Sequence, residues 1–194
     1  MSKAIFLIGM PGSGKTTLAK ALMARLDSEC SVAQERHPKF LQHTFYNGTS
    51  IGPWIVPGKF LGESTTKVYA QGTDKLSMAC QPHFLKFVVE NTMNHFLIEG
   101  DRLCNNSVIA AMNFTHRVTV IHLMCSPKTL QYRYDKRGSK QSEIFLKGRN
   151  TKLQNIMAAS IPGVHYMYVS HQTQEQHEES IESIWNKVMF RRKQ

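Results

Sequence analysis

Residues 9–16 read Gly-Met-Pro-Gly-Ser-Gly-Lys-Thr and directly follow an apolar run at residues 4–8. They match the pattern G-x-x-x-x-G-K-[ST] between a candidate strand and a segment whose leucines recur every four residues, which indicates a helix. Glycines in such a loop let successive backbone N–H groups turn towards one anion, and the helix that follows adds the positive end of its dipole. The sequence therefore predicts a phosphate-binding loop.

Single side chains of this loop have expected roles. Lys15 is predicted to reach the β- and γ-phosphates of a nucleoside triphosphate, and the Thr16 hydroxyl to ligate Mg²⁺. The residues expected to contact the nucleotide are Gly12, Ser13, Gly14, Lys15, Thr16 and Thr17.

Length and composition favour one globular domain covering residues 1–194, of which 41% are hydrophobic. No apolar run approaches the ~20 residues of a membrane span. The first strand follows the N-terminus without room for a signal peptide. The four cysteines form no C-x-x-C pair. We therefore expect a cytoplasmic protein that is not associated with a membrane.

The formal net charge of +10 is large for a chain of 194 residues and favours a polyanionic partner. Much of it is local, since residues 128–152 contain eight Lys and Arg but only two acidic residues. A basic surface that only aids solubility is the alternative.

Further apolar runs with helical patterns between them predict a parallel sheet covered by helices on both faces. These runs lie at residues 96–98, 118–124 and 166–169.

Residues 38–70 differ, because Gly and Pro are interspersed with aromatic residues and Asn47-Gly48 is a typical hairpin-turn pair. We predict a β-rich insertion that carries substrate specificity. Trp54 and Phe60 either stack on a nucleobase or give the insertion a small core.

Acidic residues follow the candidate strand at residues 95–98, at Glu99 and Asp101. Acids at the carboxyl end of a central strand face the ligand crevice of an open α/β sheet. There, one can hold Mg²⁺ through water or orient an attacking hydroxyl. One of the two could instead cap a helix or pair with Arg102, so we expect one functional acid and one helper, in an order left open.

A third acid, Asp74, stands in residues 72–77, which read Gly-Thr-Asp-Lys-Leu-Ser. It either caps a helix that starts nearby or takes the proton from a substrate hydroxyl.

Arg133 and Arg137 are four residues apart and therefore share one helical face. Their guanidinium groups are expected to close over the triphosphate, on a lid segment at residues 133–150. A solvated basic face is the alternative.

Together these residues resemble the P-loop kinases of the nucleoside and nucleotide monophosphate kinase group, over most of the chain. The resemblance implies an α/β fold of three layers, α/β/α, whose five-stranded parallel sheet has the order 2-3-1-4-5. It also implies ATP as donor and an arginine-bearing lid between Arg133 and Arg149. We further expect Arg102 and Arg149 to contact the substrate.

Two motifs narrow the resemblance: GTDKLSM at residues 72–78 and IEGDRL at residues 98–103. They look like those of the phage-encoded 5-hydroxymethyluracil DNA kinases, which phosphorylate the hydroxymethyl group of modified bases in DNA on the way to hypermodified thymidines. The resemblance implies DNA with modified thymine bases as the partner, in the cytoplasm of a bacterial host. The positions carried over are residues 12–16, Asp74, Glu99 and Asp101.

The net charge suits an enzyme that follows a phosphate backbone, and Trp54 or Phe60 would serve to extrude a base from a duplex. Three alternatives remain open: a nucleoside or deoxynucleoside monophosphate kinase, a polynucleotide end kinase, and a non-catalytic ATP-gated DNA-binding module. A GTPase is disfavoured because the chain lacks an Asn-Lys-x-Asp run.

Overall fold

The computed structural model describes residues 1–31, 33–36, 42–60, 72–77 and 79–190. Parts of the predicted insertion, at residues 38–41 and 61–70, and the last residue of the GTDKLSM motif lie outside the described residues.

Strands and helices alternate through most of the described chain. The strands are β1 (Lys3–Gly9), β2 (Ala33–Arg36), β3 (His43–Tyr46), β4 (Trp54–Pro57), β5 (His95–Glu99), β6 (Arg117–Met124) and β7 (His165–Ser170). The α-helices are α1 (Lys15–Glu29), α2 (Cys80–Glu90), α3 (Asn106–Asn113), α4 (Pro127–Lys136), α5 (Glu143–Ala158) and α6 (Gln174–Ile184). A 3-10 turn (Thr73–Lys75) precedes α2, and a π-helical turn (Trp185–Met189) continues α6.

The strands form one sheet in the order β2-β3-β4-β5-β1-β6-β7. The five strands from β4 to β7 in this order pair in parallel. If these five strands are renumbered 1 to 5 in chain order, their order across the sheet is 2-3-1-4-5. This order confirms the predicted fold class. The predicted five-stranded sheet did not include β2 and β3, which extend its edge as antiparallel strands next to β4, although β3 lies within the predicted β-rich insertion.

Side chains of β1 alternate between two buried clusters, one on each face of the sheet. Ala4, Phe6 and Ile8 pack with apolar residues of α2, α3 and α5. Ile5 and Leu7 pack with those of α1 and of α6 with its π-helical turn. Because successive strand side chains point to opposite faces, a strand covered on both sides must be apolar throughout. The chain therefore has the three layers expected from the sequence.

The aromatic residues at 54 and 60 belong to the core, which corrects the expectation that they bind substrate. Trp54 is fully buried in β4, which lies beside β5 with Trp54 opposite His95. Phe60 is also buried, with 8% of its surface exposed, in the same apolar cluster. A side chain enclosed on the face of the sheet cannot stack on a base from solvent, so of the two roles considered the structure supports the core.

The hairpin at Asn47-Gly48 is wider than a two-residue turn. β3 and β4 are antiparallel neighbours, and the connection between them runs over residues 47–53.

In the part of the chain that the structure describes, no helix is both long enough and apolar enough to span a membrane.

The burial of Trp54 makes a prediction about stability. Trp54→Ala should lower the free energy of unfolding by about 3–5 kcal/mol, because it removes a large buried side chain and leaves a cavity. Urea unfolding measures this as a lower midpoint at constant slope. Phe114→Ala is the matched control: Phe114 is 87% exposed, so its loss should cost less than about 0.5 kcal/mol. Equal costs for the two variants would contradict the core assignment.

Candidate functional site

The loop between β1 and α1 adopts backbone conformations that favour glycine. Gly12 has φ of 77° and Gly14 has φ of 93°, both in the left-handed region. A Cβ on Gly12 would lie 2.8 Å from a ring carbon of Tyr134, and one on Gly14 would overlap the imidazole of His171. Both glycines are therefore required by their backbone and by the side chains packed against them.

Lys15 begins α1 and lies across the loop. Its ammonium group donates to the backbone carbonyls of Gly9, at 2.8 Å, and of Met10, at 3.0 Å. The positive charge thus stands at the end of β1, beside the N-terminus of α1, where a phosphate group is favoured.

Thr16 and Glu99 connect the loop with the end of β5. The Thr16 hydroxyl donates to Oε1 of Glu99 at 3.0 Å. Glu99 is 2% exposed, and its Oε2 has no hydrogen-bond partner among the described residues. Burial raises the pKa of Glu99 to about 7, against the opposing effect of the Lys15 charge.

This pair suits a hard cation such as Mg²⁺, which prefers oxygen ligands. The Thr16 hydroxyl and the unpaired Oε2 of Glu99 supply them. No group of three or more His, Cys, Asp and Glu side chains that could hold a metal occurs within the described ranges. The remaining ligands of such an ion would be phosphate oxygens and water.

Asp74 lies next to the end of β5. Its Oδ1 accepts a hydrogen bond from the backbone N–H of Asp101 at 2.8 Å. It does not cap α2, whose N-cap position is Ala79 and has no side-chain cap. A Cβ on Gly100 would come within 2.5 Å of the Thr73 hydroxyl, so the close approach of the two segments requires a glycine there. Asp74 and Glu99 are thus brought to one edge of the sheet.

Asp101 turns towards the lid segment. It forms ion pairs with Arg149, at 2.8 Å, and with Lys152, at 3.7 Å. Lys152 also donates to the Asp101 carbonyl at 2.9 Å. Arg149, which was expected to contact the substrate, thus connects α5 with the end of β5. The acid pairs with these residues rather than with Arg102, whose buried Nε has no partner among the described residues.

Arg133 makes several hydrogen bonds to backbone groups around the loop. Its guanidinium group donates to the carbonyls of Gly12, at 3.0 Å, and of His171, at 3.0 Å. The neighbouring Tyr134 hydroxyl donates to the Pro11 carbonyl at 2.7 Å. These contacts join α4 to the loop, and Arg133 lines the cleft beside it, so its role over a triphosphate stays a prediction. Arg137 follows α4 and is exposed.

A cleft of about 490 Å³ opens beside the loop. Gly12, Gly14 and Thr17 contribute one side, and Arg133 and Arg137 with their neighbours on α4 another. The third side comes from residues 171–174 and His177. A volume of this size suits a small ligand, and its position next to Lys15 and the loop suits the nucleoside part of a nucleotide.

Sequence reasoning missed the histidines of this cleft. His171 is 3% exposed, and its Nδ1 lies 2.7 Å from the Ser13 carbonyl. Its Nε2 lies 2.8 Å from Nδ1 of His177. A signal was present, because His171 directly follows the last parallel strand, whose carboxyl end faces the same crevice.

The pKa of Glu99 predicts how stability depends on pH. The ordinary pKa of a glutamate side chain is 4.5, and that of Glu99 is about 7 in the folded protein. The group therefore contributes stability below pH ~4.5 that is lost as pH rises through ~7. Glu99→Gln does not titrate, so its free energy of unfolding should rise relative to wild type by on the order of 2 kcal/mol between pH 5 and pH 8.

Urea unfolding at the two pH values measures this difference. Glu90→Gln, at an exposed residue of α2, is the control and should give the same small difference at both. If Glu99→Gln behaves in the same way, the raised pKa is contradicted.

A family model described as "AAA domain" matches residues 5–156. Among solved structures, the crystal structure of shikimate kinase from Bacteroides thetaiotaomicron is similar over 93% of this chain and 95% of that chain, with 14% sequence identity and a TM-score of 0.45. No curated protein matches the chain. The matched residues include the phosphate-binding loop, the acidic end of β5 and the whole of α4, and the chain belongs to the AAA-domain family.

Proposed function

We propose that the protein is an ATP-dependent kinase that transfers the γ-phosphoryl group to the hydroxymethyl group of 5-hydroxymethyluracil in DNA. The observation that carries the transfer reaction is the hydrogen bond between Thr16 and the buried Glu99, which brings the phosphate-binding loop and the acids of β5 to one crevice. The identity of the acceptor is inferred from the exposed basic residues on and between α4 and α5 and from the resemblance of two motifs.

The residues divide into a donor side and an acceptor side. Backbone N–H groups of the loop and the Lys15 ammonium bind the triphosphate, and Thr16 with Glu99 would hold Mg²⁺, which neutralises phosphate charge when bound. Arg133 keeps the loop and residue 171 at a fixed distance through its carbonyl contacts. Arg137 is exposed at the rim of the cleft and adds positive charge near the phosphates.

On the acceptor side, Asp74 is placed to act as general base. One carboxylate oxygen accepts the Asp101 N–H, which orients the group, and the other can accept the proton of a substrate hydroxyl. As the O–H bond breaks, the hydroxyl oxygen forms a bond to the γ-phosphorus and the bond to the β–γ bridging oxygen breaks. ADP leaves, and the proton remains on Asp74 until it is lost to solvent.

Exposed basic side chains are concentrated on α4, which borders the cleft, on α5, which is anchored to the end of β5, and between them. On and between α4 and α5 they are Lys128, Lys136, Arg137, Lys140 and Lys147. Lysines and arginines that project into solvent bind the phosphate backbone of a nucleic acid without sequence preference. Free mononucleotides have no need of so extended a basic surface, so the charge favours DNA as the acceptor.

An acceptor screen tests this function. With γ-labelled ATP and DNA that contains 5-hydroxymethyluracil, the label should appear on the modified base. Transfer to DNA should weaken steeply as salt rises from about 50 to 200 mM, because cations compete for the phosphates. DNA with thymine in place of the modified base is the control.

Other outcomes of the screen identify the alternatives. Label on free nucleosides or monophosphates only, with little effect of salt, contradicts the DNA acceptor and indicates a small-molecule kinase. Label at 5′ ends indicates a polynucleotide end kinase. Binding of ATP and DNA without any transfer indicates a non-catalytic module.

Asp74→Asn tests the general base. The substitution keeps the shape and an oxygen that can accept the Asp101 N–H, but it removes the basic carboxylate. We expect kcat to fall by ~10²-fold or more, while the dissociation constant of ATP stays unchanged.

Asp27→Asn, at an exposed position near the end of α1, is the matched control and should retain full activity. If Asp74→Asn retains full activity as well, Asp74 is not the base.

A further inference from the structure

Two histidines form a hydrogen-bonded chain along one wall of the cleft. The chain runs from the Ser13 carbonyl to Nδ1 of His171, and from Nε2 of His171 to Nδ1 of His177. The two rings meet edge to face, with centroids 4.9 Å apart. His171 is buried, whereas His177 is partly exposed and lines the cleft.

The partners in this chain determine the protonation of each ring nitrogen. A carbonyl oxygen only accepts, so Nδ1 of His171 carries a hydrogen and donates to Ser13. In a neutral ring the opposite nitrogen then accepts, so the hydrogen between the two rings belongs to Nδ1 of His177. The remaining nitrogen of a neutral His177, Nε2, therefore bears a lone pair and no hydrogen.

The surroundings of both rings favour their neutral form. Burial lowers the pKa of His171 and of His177, and the Arg133 charge lowers both further. Glu178 acts in the opposite direction on His177 without reversing the shift.

His177 borders the cleft and, within the described part of the chain, has an unpaired ring nitrogen. Nε2 of His177 has no hydrogen-bond partner among the described residues, and His177 lines the cleft together with Gly12, Gly14 and Thr17. A nucleotide with its phosphates in the loop would place its base here, between α4 and the start of α6. Since Tyr132 on α4 also lines the cleft and is 64% exposed, an aromatic face is within the same space.

We propose that His177 selects the nucleobase of the phosphoryl donor: its Nε2 accepts a hydrogen bond from the 6-amino group of adenine, and it disfavours guanine, which presents the O6 acceptor at that position. This inference rests on the proposed function, because the base belongs to the phosphoryl donor. With guanine, Nε2 of His177 and O6 would both be acceptors, so neither would receive a hydrogen bond. Unpaired buried polar groups of this kind cause large differences in affinity between similar ligands.

The hydrogen bonds between Ser13 and His171 and between His171 and His177 also hold His177 at a set position relative to the phosphate-binding loop. His171 is held between the Ser13 carbonyl and His177, and its ring occupies the space in which a side chain on Gly14 would lie. Its neighbour on the other side is Arg133, which donates to the His171 carbonyl. The position of the acceptor is therefore set by the loop that holds the phosphates.

Equilibrium binding tests the inference without turnover. Competition against a fluorescent ATP analogue gives dissociation constants for ATP, GTP and purine riboside triphosphate, which lacks the 6-amino group. Wild type should bind ATP about 10- to 100-fold more tightly than either of the others. His177→Phe should bind ATP and purine riboside triphosphate equally, because the phenyl ring has no acceptor for the amino group.

Two further variants make the result decisive. His177→Asn keeps a donor near the position of Nδ1 but lacks the distal nitrogen, so it should lose the same preference, and it decides the question if His177→Phe does not fold. His165→Phe, at the exposed start of β7, is the control and should keep the wild-type preference. A purely structural role would weaken all three nucleotides equally in the His177 variants.

The inference is overturned if wild type binds ATP and GTP equally, or if the His177 variants keep the preference for ATP or weaken all nucleotides together. Because binding is measured without transfer, the outcomes separate from those of the proposed function. A preference for ATP that depends on His177, without phosphoryl transfer, would support the role of His177 and contradict the proposed kinase activity. Phosphoryl transfer without a base preference would support the kinase activity and contradict the role of His177.

Discussion

The structure depends on the position of β1 in the middle of the parallel sheet. It pairs with β5 on one side, where Leu7 lies opposite Glu99, and with β6 on the other, where Gly9 lies opposite Leu123. Parallel strands end at the same edge of a sheet, so this pairing alone brings the phosphate-binding loop beside the acidic end of β5. A strand covered on both faces must be apolar throughout, and the polar chemistry is therefore confined to the residues that follow each strand.

The charged groups of the site differ in whether they are buried and hydrogen-bonded or exposed to solvent. Glu99 is buried and Arg133 is fixed by carbonyl oxygens, so these two define the geometry around the loop. Asp101 is neutralised by Arg149 and Lys152, which ties α5 to the sheet. The basic residues on and between α4 and α5 project into solvent, and their loss would cost the fold little.

Predictions from the sequence agree with the structure for features that depend on short stretches of residues. The loop pattern, the apolar run before it and the acids at the end of β5 are each local. The run forms β1 in the middle of the sheet, and the loop and the acids lie at the carboxyl ends of the neighbouring strands β1 and β5. The aromatic residues were harder to interpret, because Trp54 in a Gly- and Pro-rich segment resembles an exposed stacking residue. Its burial depends on β4 joining the central sheet beside β5, which no local pattern reveals. The partners of Arg133 are carbonyls more than thirty residues away in sequence, and no local pattern reveals these contacts either.

The sequence by itself determined the phosphate-binding loop, the apolar strands of the parallel sheet and the excess of positive charge, because these depend on residue types at short spacing. Only the tertiary structure decided which acid is buried beside Thr16, which acid anchors the lid segment, and that two histidines stand in the wall of the cleft. The physical reason is that hydrogen-bond partners such as Ser13 and His171 come from strand ends far apart in the chain. The hydrogen-bond partners of His171 and His177 determine which ring nitrogens carry a hydrogen, and these partners come together only when the strands pair.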